Sequence, residues 1–163
     1  MDIFKELTLN AVQIIQLMIA PAVMISACGL LLLGINNKYS LVVNRIRLLN
    51  EEKRKLMIKI GEHPVTTDEN VRLESIATQI GALVYRSKLV RNSVLSYTIA
   101  VALFIITSML LGISSFLALG RLNYFIIAAF LFGMIFVLVG IVFAGLETKK
   151  GYDIILYEVK AHE

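Results

Sequence analysis

Few side chains in this sequence are equipped for chemistry, and their spacing assembles no reactive centre. Its two histidines are His63, in a turn beside Glu62, and His162, next to the C-terminus. A hydrated loop histidine is the expectation for each. The one cysteine, Cys28, lies inside an apolar run, so no intrachain disulfide forms and a small buried side chain is expected there. There is no phosphate-binding glycine loop, no nucleophile–base motif, and no histidine or cysteine cluster at metal spacing. We therefore expect no catalytic residue, no metal, no cofactor and no enzyme. Two sets of polar groups remain to be explained. Asn10, Gln13 and Gln16 sit on a run without charge, and a series of lysines and arginines begins where that run ends, at Lys38.

The elements that position these groups follow from hydropathy. Of the 163 residues, 58% are hydrophobic, and the mean hydropathy is +0.78. A soluble domain of this length rarely carries so much apolar content. Three segments hold no charge at all, residues 7–37, 92–120 and 122–146, and each exceeds the roughly 20 residues that cross a bilayer. The first is no signal peptide, because residues 1–6 are not a basic leader and the apolar run is far too long. No charge lies in the middle of any span, which argues against a proton-coupled transporter or pump. Eleven of the 16 lysines and arginines fall between Lys38 and Arg91, and three more follow the third span. By the positive-inside bias the long link and the tail are cytoplasmic, and the N-terminus lies outside.

The expected fold is an all-α integral membrane protein of three transmembrane helices, with a long cytoplasmic antiparallel helical hairpin between spans one and two. Residues 1–37 form an outer segment and the first span, 38–91 the basic hairpin, 92–120 and 122–146 the second and third spans, and 147–163 the tail. The localisation is the inner membrane. No glycine or proline separates residues 35–60, so the first span should run into water as one helix, kinked at Pro21. Within the span, Gln13, Ala20, Ala27 and Gly34 recur every seven residues, with Gln16, Val23 and Leu30 between them. Such a seam of small and polar residues suits close helix packing, or lines a path.

Beyond Lys38 the apolar positions Val42, Ile46, Leu49, Leu56 and Ile60 share one face. A break at residues 61–64 and capping residues at 66–69 then start the second arm. There Leu73, Ile76, Ile80, Leu83, Ser87, Val90 and Val94 keep a three–four spacing. The two stripes predict an antiparallel zipper about 35–40 Å long. A further stripe, Val71, Thr78, Ala82, Tyr85 and Leu89, with Leu41 and Leu48 on the first arm, is left for another partner. Span two offers Ser108, Gly112 and Ser115 on one face, and span three Ala129, Gly133, Gly140 and Ala144. Gly151 is expected to end the third helix, and Tyr152, Ile155, Leu156 and Val159 to form a short amphipathic helix after it.

The run Pro21-Ala22-Val23-Met24-Ile25-Ser26-Ala27-Cys28-Gly29-Leu30, then Asn36-Asn37-Lys38-Tyr39-Ser40 and Val43-Asn44-Arg45-Ile46-Arg47-Leu48, resembles a known pattern. It is similar to small prokaryotic membrane proteins grouped as domain of unknown function twenty-seven twenty-one. That family has an early proline, a serine, a glycine-leucine run, and a basic stretch ending in arginine-any-arginine-leucine. Its relatives commonly carry an aspartate where this chain has Asn44. The resemblance implies the helical layout and carries over no catalytic or binding residue.

Two functional classes follow from these features. The first is a homo-oligomeric ion channel whose path is lined through Asn10, Gln13 and Gln16, with Ala20, Ala27 and Gly34 below and the hairpins as vestibule or gate. The second is a membrane-anchored scaffold or sensor that docks a cytoplasmic partner. The basic residues Lys38, Arg45, Arg47, Arg86, Lys88 and Arg91 either meet anionic lipid head groups or form a cationic vestibule that gathers ions. The expected partners are thus the bilayer and further copies of the chain, with ions or anionic lipid. Nucleic acid is not among them, since Glu51, Glu52 and Glu74 interrupt the basic series.

Overall fold

A computed structural model describes residues 2–62, 66–117 and 123–160, with side chains at 12, 13, 15–61, 66–115 and 123–151. His63, Pro64, His162 and most of the link between the second and third spans lie outside these residues. Three helices account for the described chain: α1 (Asp2–Glu62), α2 (Thr67–Leu117) and α3 (Asn123–Lys160). Each contains a window long and apolar enough to cross a membrane, of mean hydropathy 2.3, 2.3 and 3.0. The chain therefore has the make-up of a multi-pass membrane protein.

Local chemistry explains where these helices begin and why they continue. α1 passes through residues 36–39 without a break, as expected from a stretch free of glycine and proline. Pro21 sits inside it and is fully buried. Its missing N–H leaves one carbonyl of the preceding turn without a helical donor, which weakens the helix locally. α2 opens on a reciprocal cap. The Thr66 carbonyl accepts from the amides of Glu69 (3.0 Å) and Asn70 (3.3 Å), while the Glu69 carboxylate accepts from the Thr66 amide (3.3 Å). α3 corrects the sequence reading. It does not end at Gly151 but runs on to Lys160, so the tail is a continuation of the third helix and not a separate one. A helical glycine costs only about 1 kcal/mol against alanine, and Gly151 has a packing role that offsets this cost.

The helices contribute to two compact units, one formed by α1 up to Gly34 with Val94–Ile141, the other by Ile35–Ser93 with the chain from Val142. In the first, Cys28 of α1 and Ala100 and Phe104 of α2 form the buried centre. Met24, Ile25, Phe130, Phe136 and Val137 pack around it. Phe104 and Phe130 meet at 5.5 Å between ring centroids with planes 56° apart, a tilted contact of the kind aromatic pairs favour. The helices approach closely because α3 has glycines under the rings of α2. A Cβ at Gly133 would lie 2.7 Å from Phe104 Cε1, and one at Gly140 2.6 Å from Tyr97 Cε1. The small face of span three is thus a bed for two aromatic rings of the same chain. In span two the face buried within the chain is Ser96, Tyr97, Ala100, Phe104 and Thr107, while on the face of Ser108, Gly112 and Ser115 a Cβ at Gly112 would meet nothing of this chain within 4 Å. Hydroxyls of α2 largely satisfy themselves. Thr98, Thr107 and Ser115 donate to carbonyls four residues back at 2.8–2.9 Å.

In the second unit, Val42 and Leu49 of α1 and Ile76 and Leu83 of α2 make the buried cluster, with Ile46, Leu56 and Ile80 against it. The stripes read from the three–four spacing meet here. Ion pairs mark the antiparallel register: Arg72 donates to Glu52 at 2.7 and 2.9 Å, and Lys59 pairs with Glu69 at 3.1 Å. The spare stripe needs one correction, since Leu89 is buried. Leu41, Leu48, Val71 and Tyr85 do remain exposed.

Candidate functional site

Between Glu74 and Asp153 the sequence has a single carboxylate, Glu147. It lies within the second unit, and its side chain is 1% exposed. Charge buried to that extent is costly unless it is paired and hydrogen-bonded, and all three helices contribute to that pairing. Arg86 of α2 donates to Glu147 Oε1 through Nη2 at 2.6 Å and Nε at 3.2 Å. Lys38 of α1 reaches the other oxygen, Oε2, at 3.4 Å and donates to Thr148 Oγ1 at 3.0 Å. Thr148 in turn donates to the Ala144 carbonyl at 3.0 Å. Among the described residues no buried side-chain nitrogen or oxygen lacks a partner.

Gly151 completes the arrangement. It lies one helical turn beyond Glu147, on the same face of α3. A Cβ there would stand 2.8 Å from Arg86 Nη2 and 3.1 Å from Cζ. The guanidinium lies across the bare backbone at this point and so reaches the carboxylate with both donors. Here glycine serves the path of an arginine rather than the end of a helix.

Beside the ion cluster lies an open recess of about 440 Å³, lined by Lys38, Leu41, Val42, Arg45, Leu83, Arg86, Glu147, Thr148 and Gly151. Its walls carry three cations against one carboxylate. Both oxygens of Glu147 are already taken, and among the described residues Arg45 makes no hydrogen bond or ion pair. The chemistry available is attraction and hydrogen-bond donation to an anion.

The sequence-predicted residues separate into three groups. Lys38 and Arg86 are drawn onto Glu147, and Arg45 joins them at the recess; Arg47, Lys88 and Arg91 are exposed elsewhere on the second unit. In the first unit Gln13, Gln16, Ala20 and Ala27 are exposed, and a Cβ at Gly34 would meet nothing within 4 Å. Asn10 lies on α1, but its side chain falls outside the described residues. Sequence reasoning missed Glu147, which it treated as the start of the tail. The signal was its isolation: one acid closes the third apolar run, whereas Lys38 and Arg121 close the other two.

No curated protein and no solved structure matches the chain. One family does, over residues 18–155, a range that takes in the early proline, the arginine-any-arginine-leucine stretch, Arg86, Glu147 and Gly151. The chain belongs to the DUF2721 family of proteins of unknown function.

Proposed function

We propose that this protein is a homo-oligomeric, channel-like protein of the inner membrane. In this reading three helices cross the bilayer, the N-terminus lies outside, and the basic zipper of α1 and α2 projects into the cytoplasm, where the lysine and arginine excess favours it. The observation that carries the proposal is the uncovered face of α1. The side packed within the chain, through Pro21, Met24, Ile25 and Cys28, lies about 100° around the helix, whereas Gln13, Gln16, Ala20, Ala27 and Gly34 find no cover within the chain. A glutamine facing lipid leaves its amide unsatisfied, at a cost of several kcal/mol in hydrocarbon. Copies of α1 set side by side around an aqueous path satisfy both the small residues and the amides.

The test is ion flux. Purified protein in liposomes conducts, its native mass in detergent is a multiple of 18.2 kDa, and Gln13→Leu or Gln16→Leu changes the conductance. A monomeric mass, or bilayers silent under varied voltage, tension and salt, overturns the proposal.

A specific observation favours a second reading, a membrane-anchored scaffold. Leu41, Leu48, Val71 and Tyr85 leave apolar surface exposed on the charged unit. A photocrosslinker at Tyr85 then captures one defined cytoplasmic protein in cells. Capture of the same chain alone removes this reading.

A further inference from the structure

The recess beside Glu147 has unspent donors, an apolar wall and a defined depth in the sequence. We infer that it is a binding site for a phosphoryl anion, supplied by the head group of an anionic phospholipid. Lys38 and Arg86 neutralise Glu147, so the carboxylate no longer repels an anion and one net positive charge remains. Arg45 adds a second. Arg45 has all its guanidinium protons available, and Arg86 keeps Nη1 free after Nε and Nη2 are bound to Glu147. Two guanidinium edges and an ammonium on one recess suit a tetrahedral oxyanion, because arginine matches phosphate oxygens in a fixed fork.

The source of the anion follows from the other lining residues. Leu41, 70% exposed, and Leu83 give the recess an apolar wall that inorganic phosphate has no use for and an acyl chain does. Lys38 is the first charge after the apolar run of α1, and Glu147 the first after that of α3. Both walls therefore pass from hydrocarbon-compatible to charged sequence at the recess, at the level where phospholipid phosphates lie. The site is independent of any path along α1, since it uses none of Gln13, Gln16 or Gly34.

Two neighbouring arginines make the test clean. Arg45 lines the recess. Arg47, two positions on and about 200° around the helix, does not. Both are exposed and neither makes an ion pair, so Arg45→Gln and Arg47→Gln leave the fold intact, which circular dichroism checks. Purified full-length protein in a neutral detergent is titrated with short-chain phosphatidylglycerol, short-chain phosphatidylcholine or inorganic phosphate, and bound lipid is counted by native mass spectrometry alongside the melting temperature. The inference expects saturable binding of phosphatidylglycerol and not phosphatidylcholine. It expects roughly tenfold weaker binding in Arg45→Gln, the loss of one charge-assisted contact, and no change in Arg47→Gln. Equal weakening in the two variants means diffuse surface attraction and overturns the site. A melting shift produced equally by inorganic phosphate overturns the assignment to lipid, and absence of saturable binding overturns both.

Discussion

The two units use one device for two different ends. In the first, Gly133 and Gly140 of α3 lie under Phe104 and Tyr97 of α2, so bare backbone accommodates aromatic rings. In the second, Gly151 of the same helix lies under Arg86, and bare backbone accommodates a guanidinium on its way to Glu147. The apolar unit gains dispersion contacts from its glycines, while the charged unit gains access to a buried carboxylate. At these three glycines of α3 the residue on the facing helix decides whether a ring or a charge crosses the bare backbone.

The sharpest way to break the comparison is at Glu147. Glu147→Leu leaves Arg86 and Lys38 facing an apolar side chain and should destabilise the second unit by about 3–5 kcal/mol. Adding Arg86→Met should recover much of that loss, measured by denaturant unfolding in detergent. Cys28, buried in the first unit, reports on whether damage stays local. Its labelling rate should hardly change in Glu147→Leu, and a large rise would mean that the units do not open separately.

Next in size is Leu49→Ala, which removes a buried zipper residue. The expected cost is about 2–5 kcal/mol by the same unfolding assay. The glycines sharpen the contrast. Gly140→Ala pushes a Cβ into the ring of Tyr97, itself 1% exposed with little room to move, for about 1–3 kcal/mol. Gly151→Ala meets the far end of a flexible arginine, and better helix propensity offsets most of the strain. Its melting temperature should stay within a degree or two of wild type, within the shift that about 0.5 kcal/mol gives. Glu69→Ala, which removes half of the α2 cap and the Lys59 pair, is also a small change, of about 0.5–1 kcal/mol.

Much of this architecture was legible because it is local. The continuity of α1 follows from the lack of breakers between residues 35 and 60. The zipper follows from a three–four spacing that any helix turns into a stripe. The cap at Thr66 is a four-residue pattern. What could not be read depends on register between helices far apart in sequence. The small face of α3 was visible, but nothing local says that Tyr97 and Phe104 cover it. Gly151 was misread because local propensity favours a stop there, and the contact that overrides it comes from Arg86, 65 positions earlier. Glu147 was missed for the same reason, since its two partners lie on two other helices. Leu89, taken as spare surface, is buried, because a stripe alone does not say how wide its cover is.

The sharing of Glu147 by three helices also bears on how the chain is made. Lys38 and Arg86 leave the ribosome long before the acid that will neutralise them. Until then both stay hydrated, and the first two helices lack the link that ties them to the third. Arrival of the last helix supplies the counter-ion and closes the cluster in one event, so a nascent chain truncated before residue 147 keeps two unmatched cations and stands out as unfinished.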